Sequence, residues 1–223
     1  MKSVQFASVE EQYRKYDGQL RPSDVQRLGD WAQTQPHLPS ITEPELMLFL
    51  HSNYYDMEAA QRTIENYYTF RTSCKNLFGN RDFEKPAIQT AMGVLAAMCI
   101  DVSLWEEGCI NGSILIIDMN GIHLSHLPKL GIFTLKDLLY YVQECLPVRL
   151  KGLYLVNLVP FIDRIMAMIR PFMKKELLEL FHLHTNIELM FNDIPQRLLP
   201  AEYGGMAKPR KVLRASKRLT LEP

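Results

Sequence analysis

The chain has 223 residues, 47% hydrophobic and 22% charged, which is the profile of one soluble globular domain, or one with a small helical appendage, long enough to bury a core. Its 11 Gly, 13 Pro and 4 Cys exclude the collagen-like, disordered and disulfide-scaffold classes, and no apolar run approaches the ~18 residues of a membrane-crossing helix. The 25 basic and 25 acidic residues cancel, yet six basic residues and one acidic residue lie from Met206 onward, so a +5 tail follows a −5 body. Such a tail suits a membrane surface, a nucleic acid or an acidic partner, or is a solvated terminus.

The opening Met1-Lys2-Ser3-Val4-Gln5 leads into polar sequence, so a chain without a secretory leader, in the cytoplasm, is expected. Cys74, Cys99, Cys109 and Cys145 form no CxxC pair, which favours reduced thiols over a zinc site.

The first half reads as helices. Ser23 with Gln26 is a candidate capping box, followed by Val25, Leu28, Trp31 and Ala32 at helical spacing and stopped by Pro36 and Pro39. Thr42 with Glu45 opens a second helix through Leu46, Met47, Phe49 and Leu50, and Asp56 caps a third carrying Ala60, Ile64, Tyr67, Tyr68 and Phe70. Pro86 fits the first turn of a fourth, running from Ile88 towards Trp105.

The pattern changes at Gly112. Ser113 to Met119 is apolar on both faces and meets an Asn120-Gly121 turn, as expected of a strand buried on two sides. Thr134 is expected to cap a helix that Pro147 stops, and Leu150 to Leu158 is a second buried strand, so the pair is parallel with a right-handed crossover. After Pro160, Phe161, Ile162, Ile165, Met166, Ile169, Phe172 and Met173 recur at helical spacing, broken by Pro171 and edged by Arg164, Arg170, Lys174 and Lys175. Such a stripe is either core or an amphipathic cover able to meet a membrane surface. Phe181 to His184 is a short third strand, and Thr185 with Glu188 is a candidate capping box for a last short helix. The fold class is α/β, or α+β with a helical N-terminal part.

Signatures of catalysis are sparse. No GxGxxG, P-loop, GxSxG or HExxH run is present. Asp118 at the end of a parallel strand is a candidate functional carboxylate but fits better as the cap of the Asn120-Gly121 turn. His182 and His184 share one strand face as half of a metal site at most, and Cys109 and Cys145 are nucleophiles by type only. No catalytic residue, cofactor or metal is therefore expected.

Three further runs carry a resemblance. They are Leu146-Pro147-Val148-Arg149-Leu150-Lys151-Gly152-Leu153-Tyr154-Leu155-Val156-Asn157, Ile169-Arg170-Pro171-Phe172-Met173 and Leu199-Pro200-Ala201-Glu202-Tyr203-Gly204-Gly205. Together with the N-terminal helices, from Leu28-Gly29-Asp30-Trp31 to Tyr67-Tyr68-Thr69-Phe70-Arg71, they resemble the CRAL-TRIO lipid-transfer family in its tocopherol- and retinaldehyde-carrying branch. The resemblance implies a small, mainly parallel sheet flanked by helices, with a helical module over residues 1–80, a lipid-binding domain over 81–207 and the basic tail over 208–223. It implies a non-enzymatic carrier: a monomer holding one hydrophobic ligand (a tocopherol, a retinoid or a phospholipid) in an apolar pocket, with peripheral contact to anionic, phosphoinositide-bearing membranes and none to nucleic acid.

By the same resemblance the pocket is lined by Leu115, Ile117, Ile122, Leu130, Tyr141, Val142, Leu146, Val148, Leu153 and Leu155. Its lid carries Phe161, Ile162, Ile165, Met166, Ile169 and Phe172, and anionic lipid meets Arg149, Lys151, Lys174 and Lys175. Two departures stand out. Where the family places two strands, the interval from Gly79 to Gly112 reads as one helix, so the chain looks shortened. Positions that are basic in phosphoinositide readers are here Glu176, Leu178, Leu180, His51 and Asn53. A non-transferring interaction module that has lost its ligand is the alternative.

Overall fold

A computed structural model of the chain describes residues 7–74, 78, 104, 107–126 and 132–206. Four helices come first: α1 (Val9–Lys15), α2 (Pro22–Gln33), α3 (Glu43–Ser52) and α4 (Met57–Ser73). The sequence reading does not foresee α1; its buried Gln12 accepts a hydrogen bond from the Cys109 N–H at 3.0 Å, tying the N-terminus to the approach to the sheet.

Helix α2 begins two residues earlier than the Ser23 box predicts. Pro22 occupies the first turn after Arg21, because its fixed φ is already helical and its missing N–H costs nothing there. The Thr42–Glu45 box forms as predicted, with the Thr42 N–H donating to Glu45 Oε2 at 2.8 Å. Asp56 caps α4 through the Ala59 N–H at 2.8 Å. Helix α3 is buried continuously from Leu46 to His51, the mark of a helix surrounded by protein.

Three parallel strands follow: β1 (Ser113–Asp118), β2 (Leu150–Val156) and β3 (Phe181–Leu183), in the order β1-β2-β3. Helix α5 (Ile132–Tyr140) and a π-helical turn (Tyr141–Cys145) join the first pair; helix α6 (Ile162–Ile169), a tight turn over Arg170–Phe172 and helix α7 (Lys175–Glu179) join the second. The fold is α/β, as expected. Thr134 lies inside α5 rather than capping it. Asn186, not Thr185, receives the Leu189 N–H (3.2 Å) at the last short helix, because its amide reaches the third residue on. The helix expected from Pro86 to Trp105 lies outside the described residues except for Leu104, which is buried; the tail lies outside them altogether.

Strand alternation divides the apolar residues between two layers. Leu115, Leu153 and Leu155 face α6, while Ile116, Tyr154 and Val156 face Met190, Ile194 and Leu199 of the C-terminal segment. A third core joins α2, α3 and α4 to Tyr141, Cys145 and Leu146. Gly205 explains the end of the closing signature: a Cβ there would lie 1.9 Å from the Leu199 carbonyl oxygen, so only glycine permits that return of the chain.

Candidate functional site

On one side of the sheet the register sets Leu115 opposite Leu153 and Ile117 opposite Leu155. Leu153 and Leu155 are buried beneath α6, whose Ile165, Met166 and Ile169 are buried against them. Phe161, Ile162 and Phe172 flank that contact half-buried, and Leu115 and Ile122 join it from β1 and the turn beyond. Helix α6 therefore packs directly on this face of the sheet. Ile117 stands apart at 38% exposure on the outer strand, and Leu130 is outside the described residues.

The residues grouped as pocket lining do not form one wall. Tyr141 is fully buried among the N-terminal helices, its ring stacked 6.0 Å from Phe70 and its hydroxyl accepting from Arg71 Nη1 at 3.2 Å. Its neighbour Val142 borders both the helical core and the sheet-face cluster. Successive residues on a helix point about 100° apart, so Tyr141 points wholly into the helical core while Val142 bridges that core and the sheet-face cluster. Leu146 likewise belongs to the helical core, with Val148 packed against it.

Val142, Leu146 and Val148 do meet along a cleft of about 370 Å³ between the N-terminal helices and α7. Leu150, Leu177 and Leu180 complete its apolar part; Ser52, Asn53, Thr63 and Gln143 are polar, and Glu144, Lys174 and Glu176 are charged. No periodicity in the sequence marks Ser52, Asn53 and Thr63 for this place, since they come from a different module and meet it only in the fold.

The four basic candidates separate into two places. Arg149 donates from Nε to the His51 carbonyl at 2.8 Å, and its guanidinium lies over the rings of Tyr54 and Tyr55. Lys151 Nζ donates to the Tyr54 hydroxyl at 3.1 Å. Tyr54 and Tyr55 both hold positive φ, 53° and 66°, a conformation bulky side chains rarely adopt and which the Tyr55 N–H bond to the Leu50 carbonyl, 2.8 Å, helps to fix. Burial, and then the Arg149 guanidinium, hold the His51 imidazole down at about 4, so it is neutral at pH 7. Lys174 instead pairs with Glu144, and Lys175 lies 3.8 Å from Glu179.

The candidates for chemistry are engaged otherwise. Asp118 Oδ1 accepts from the Asn120 N–H at 2.9 Å and Asn157 Nδ2 at 3.0 Å, and Oδ2 from the Tyr203 hydroxyl at 3.4 Å, so the carboxylate ties the end of β1 to the C-terminal segment. Burial pushes the Cys109 and Cys145 thiols up to about 12, far from a reactive thiolate. His182 stacks on Tyr154 at 4.4 Å, and His184 Nε2 lies 3.3 Å from Asp193 Oδ2. Among the described residues no group of three or more His, Cys, Asp or Glu is placed to hold a metal ion.

The model of the CRAL/TRIO domain matches residues 54–205. This chain belongs to the CRAL/TRIO domain family. Ahead of that domain, and overlapping it, residues 17–88 match the Pinta-like UBA domain. The CRAL/TRIO chain is 27% identical over 236 residues to the human alpha-tocopherol transfer protein-like protein, covering 89% of this chain and 68% of that one. It is 24% identical to rat clavesin-1 and 23% to human clavesin-2, each over 83% of this chain, and over 64% and 69% of theirs. The crystal structure of Sfh5 aligns over 82% of both chains at a TM-score of 0.49 and 9% identity.

Proposed function

We propose that this CRAL/TRIO chain is a carrier that binds one hydrophobic, lipid-like ligand and exchanges it with membranes, without a bond-making step. The observation that carries this reading is the packing of α6: one apolar stripe of Ile165, Met166 and Ile169 seals the Leu115/Leu153/Leu155 face, while Asp163, Arg164 and Arg170 remain exposed. A helix so divided can leave one apolar surface for another, such as a bilayer, at little net cost. Lifting it frees the sheet face for a tocopherol, a retinoid or a phospholipid chain, at about 25 cal/mol per Å² of apolar surface reburied. The relative named as alpha-tocopherol transfer protein-like supports transfer as the activity.

In this reading the helical module spans residues 1–80, the carrier domain 81–207 and the basic tail 208–223. Leu115, Ile117, Ile122, Leu130, Val142, Leu153 and Leu155 meet the ligand, and Phe161 to Phe172 are the lid. Arg149 and Lys151, presented beside the exposed Tyr54, face an anionic phosphoinositide-bearing membrane, with Lys174 and Lys175 joining once their carboxylate partners are exchanged. The protein works as a cytoplasmic monomer that visits membranes.

Native mass spectrometry of protein purified from cells tests this. A bound lipid appears as added mass, and Phe172→Asp abolishes transfer between vesicles with the fold retained. Closed packing of α6 favours a second reading, an interaction module without ligand; a chain that never carries lipid, with Phe172→Asp unfolding it, decides for that one.

A further inference from the structure

The exit of α6 leaves two backbone groups outside the helical ladder. Ile169 is the last residue of α6, the chain makes one tight turn over Arg170–Phe172, and Met173 is extended (φ −100°, ψ 130°). Pro171 has no N–H to continue the helix. The Phe172 carbonyl and the Lys174 N–H, on either side of buried Met173, both turn to Gln143. Gln143 Nε2 donates to the Phe172 carbonyl at 3.1 Å, and its Oε1 accepts from the Lys174 N–H at 2.6 Å. One side-chain amide thus does what a neighbouring strand would do. The same Nε2 donates to the Leu139 carbonyl at 3.0 Å, which fixes the amide on its own helix. Beside it Glu144 pairs with the Lys174 ammonium.

Both residues sit in the π-helical turn Tyr141–Cys145, between two fully buried residues that root it in the helical core. Wide turns of this kind often mark functional places. The turn is packed against Phe70 on the side of Tyr141, whereas Gln143, Glu144 and Lys174 line the cleft, within reach of water. We propose that Gln143 and Glu144 are the latch of the α6 cover: positioning residues that hold its C-terminal end down and set how readily it lifts. This rests on the carrier reading for its purpose, but not for its existence.

Hydrogen exchange on the full chain tests it. Gln143→Met keeps the length of the side chain and removes donor and acceptor together. Backbone amides over residues 162–174 are expected to exchange about tenfold faster, the effect of losing two net hydrogen bonds, while those of α2 and α3 are unchanged. Gln143→Glu retains the acceptor for Lys174 and falls between. Glu144→Gln removes the ion pair from the rim and makes exchange over 162–174 less dependent on salt. Unchanged exchange there in Gln143→Met overturns the latch. Should Gln143→Met loosen the whole chain, Glu144→Gln decides, and no change in that segment overturns it equally. Transfer of a fluorescent tocopherol analogue between phosphatidylcholine vesicles separates the two ideas: faster exchange in a variant of a protein that transfers nothing keeps the latch and removes the carrier.

Discussion

The Arg149 guanidinium lies 4.2 Å from the centroid of the Tyr54 ring, and Tyr54 is 63% exposed at the tip between α3 and α4. A cation at the start of β2 is thus held by the N-terminal helices, through the ring and through the His51 carbonyl, and among the described residues no acid pairs with it. The contact couples the helical module to the sheet and, among the described residues, leaves positive charge uncancelled where Lys151 adds a second cation.

The guanidinium geometry is specific. Arg149→Lys keeps the charge but loses the flat stack and the Nε bond to His51. A loss of about 1–2 kcal/mol in urea unfolding is expected, with binding to anionic vesicles retained. Arg149→Met is expected to lose both.

His51 makes stability depend on pH. The unfolded imidazole binds a proton near 6.5, the folded one only near 4, because the buried ring beside Arg149 resists charge. The contribution is whole above pH 6.5 and is lost as pH falls towards 4, about 2 kcal/mol by pH 5. His51→Phe, which fills the site without titrating, is expected to flatten that slope between pH 7 and pH 5 in denaturant titrations.

Leu153 lies beneath α6 at 4% exposure. Leu153→Trp overfills that layer and is expected to cost about 1–3 kcal/mol while far-UV circular dichroism stays native. On the carrier reading it is also expected to block ligand entry, so a Leu153→Trp protein that still carries lipid removes this sheet face from the pocket.

The tail offers a separable test. Each basic residue near an anionic surface contributes about 1 kcal/mol, and salt weakens it. Truncation after Gly205 is expected to reduce binding to phosphatidylserine vesicles and to flatten its dependence on salt, as read by co-sedimentation. Equal binding by the truncated chain assigns the membrane contact to the body alone.

Local rules carried most of the architecture from sequence to structure. Alternation along Ser113–Asp118 and Leu150–Val156 separated Leu153 and Leu155 from Tyr154 and Val156, because a strand offers only two faces. The Thr42–Glu45 and Asp56 caps were legible because they are hydrogen bonds within four residues. The helical stripe from Phe161 to Phe172 was equally plain, since its period is fixed by the backbone.

What depended on distant contacts was decided only by the tertiary structure. Tyr141 and Val142 are adjacent in a run of apolar residues, and nothing local assigns the first wholly to the helical core and sets the second between that core and the sheet-face cluster; the packing of α4 against the π-turn does so. Lys174 and Arg149 look alike as basic residues, yet Glu144 pairs with one and Tyr54 underlies the other. Gln143 is an ordinary helical residue by spacing, and becomes the partner of Phe172 and Lys174 only when the π-helical turn and the exit of α6 meet. A sequence specifies periodicity and caps through neighbours a few residues apart, whereas a charge or an amide acquires its role from partners about 30 to 100 residues away, set by the docking of whole elements.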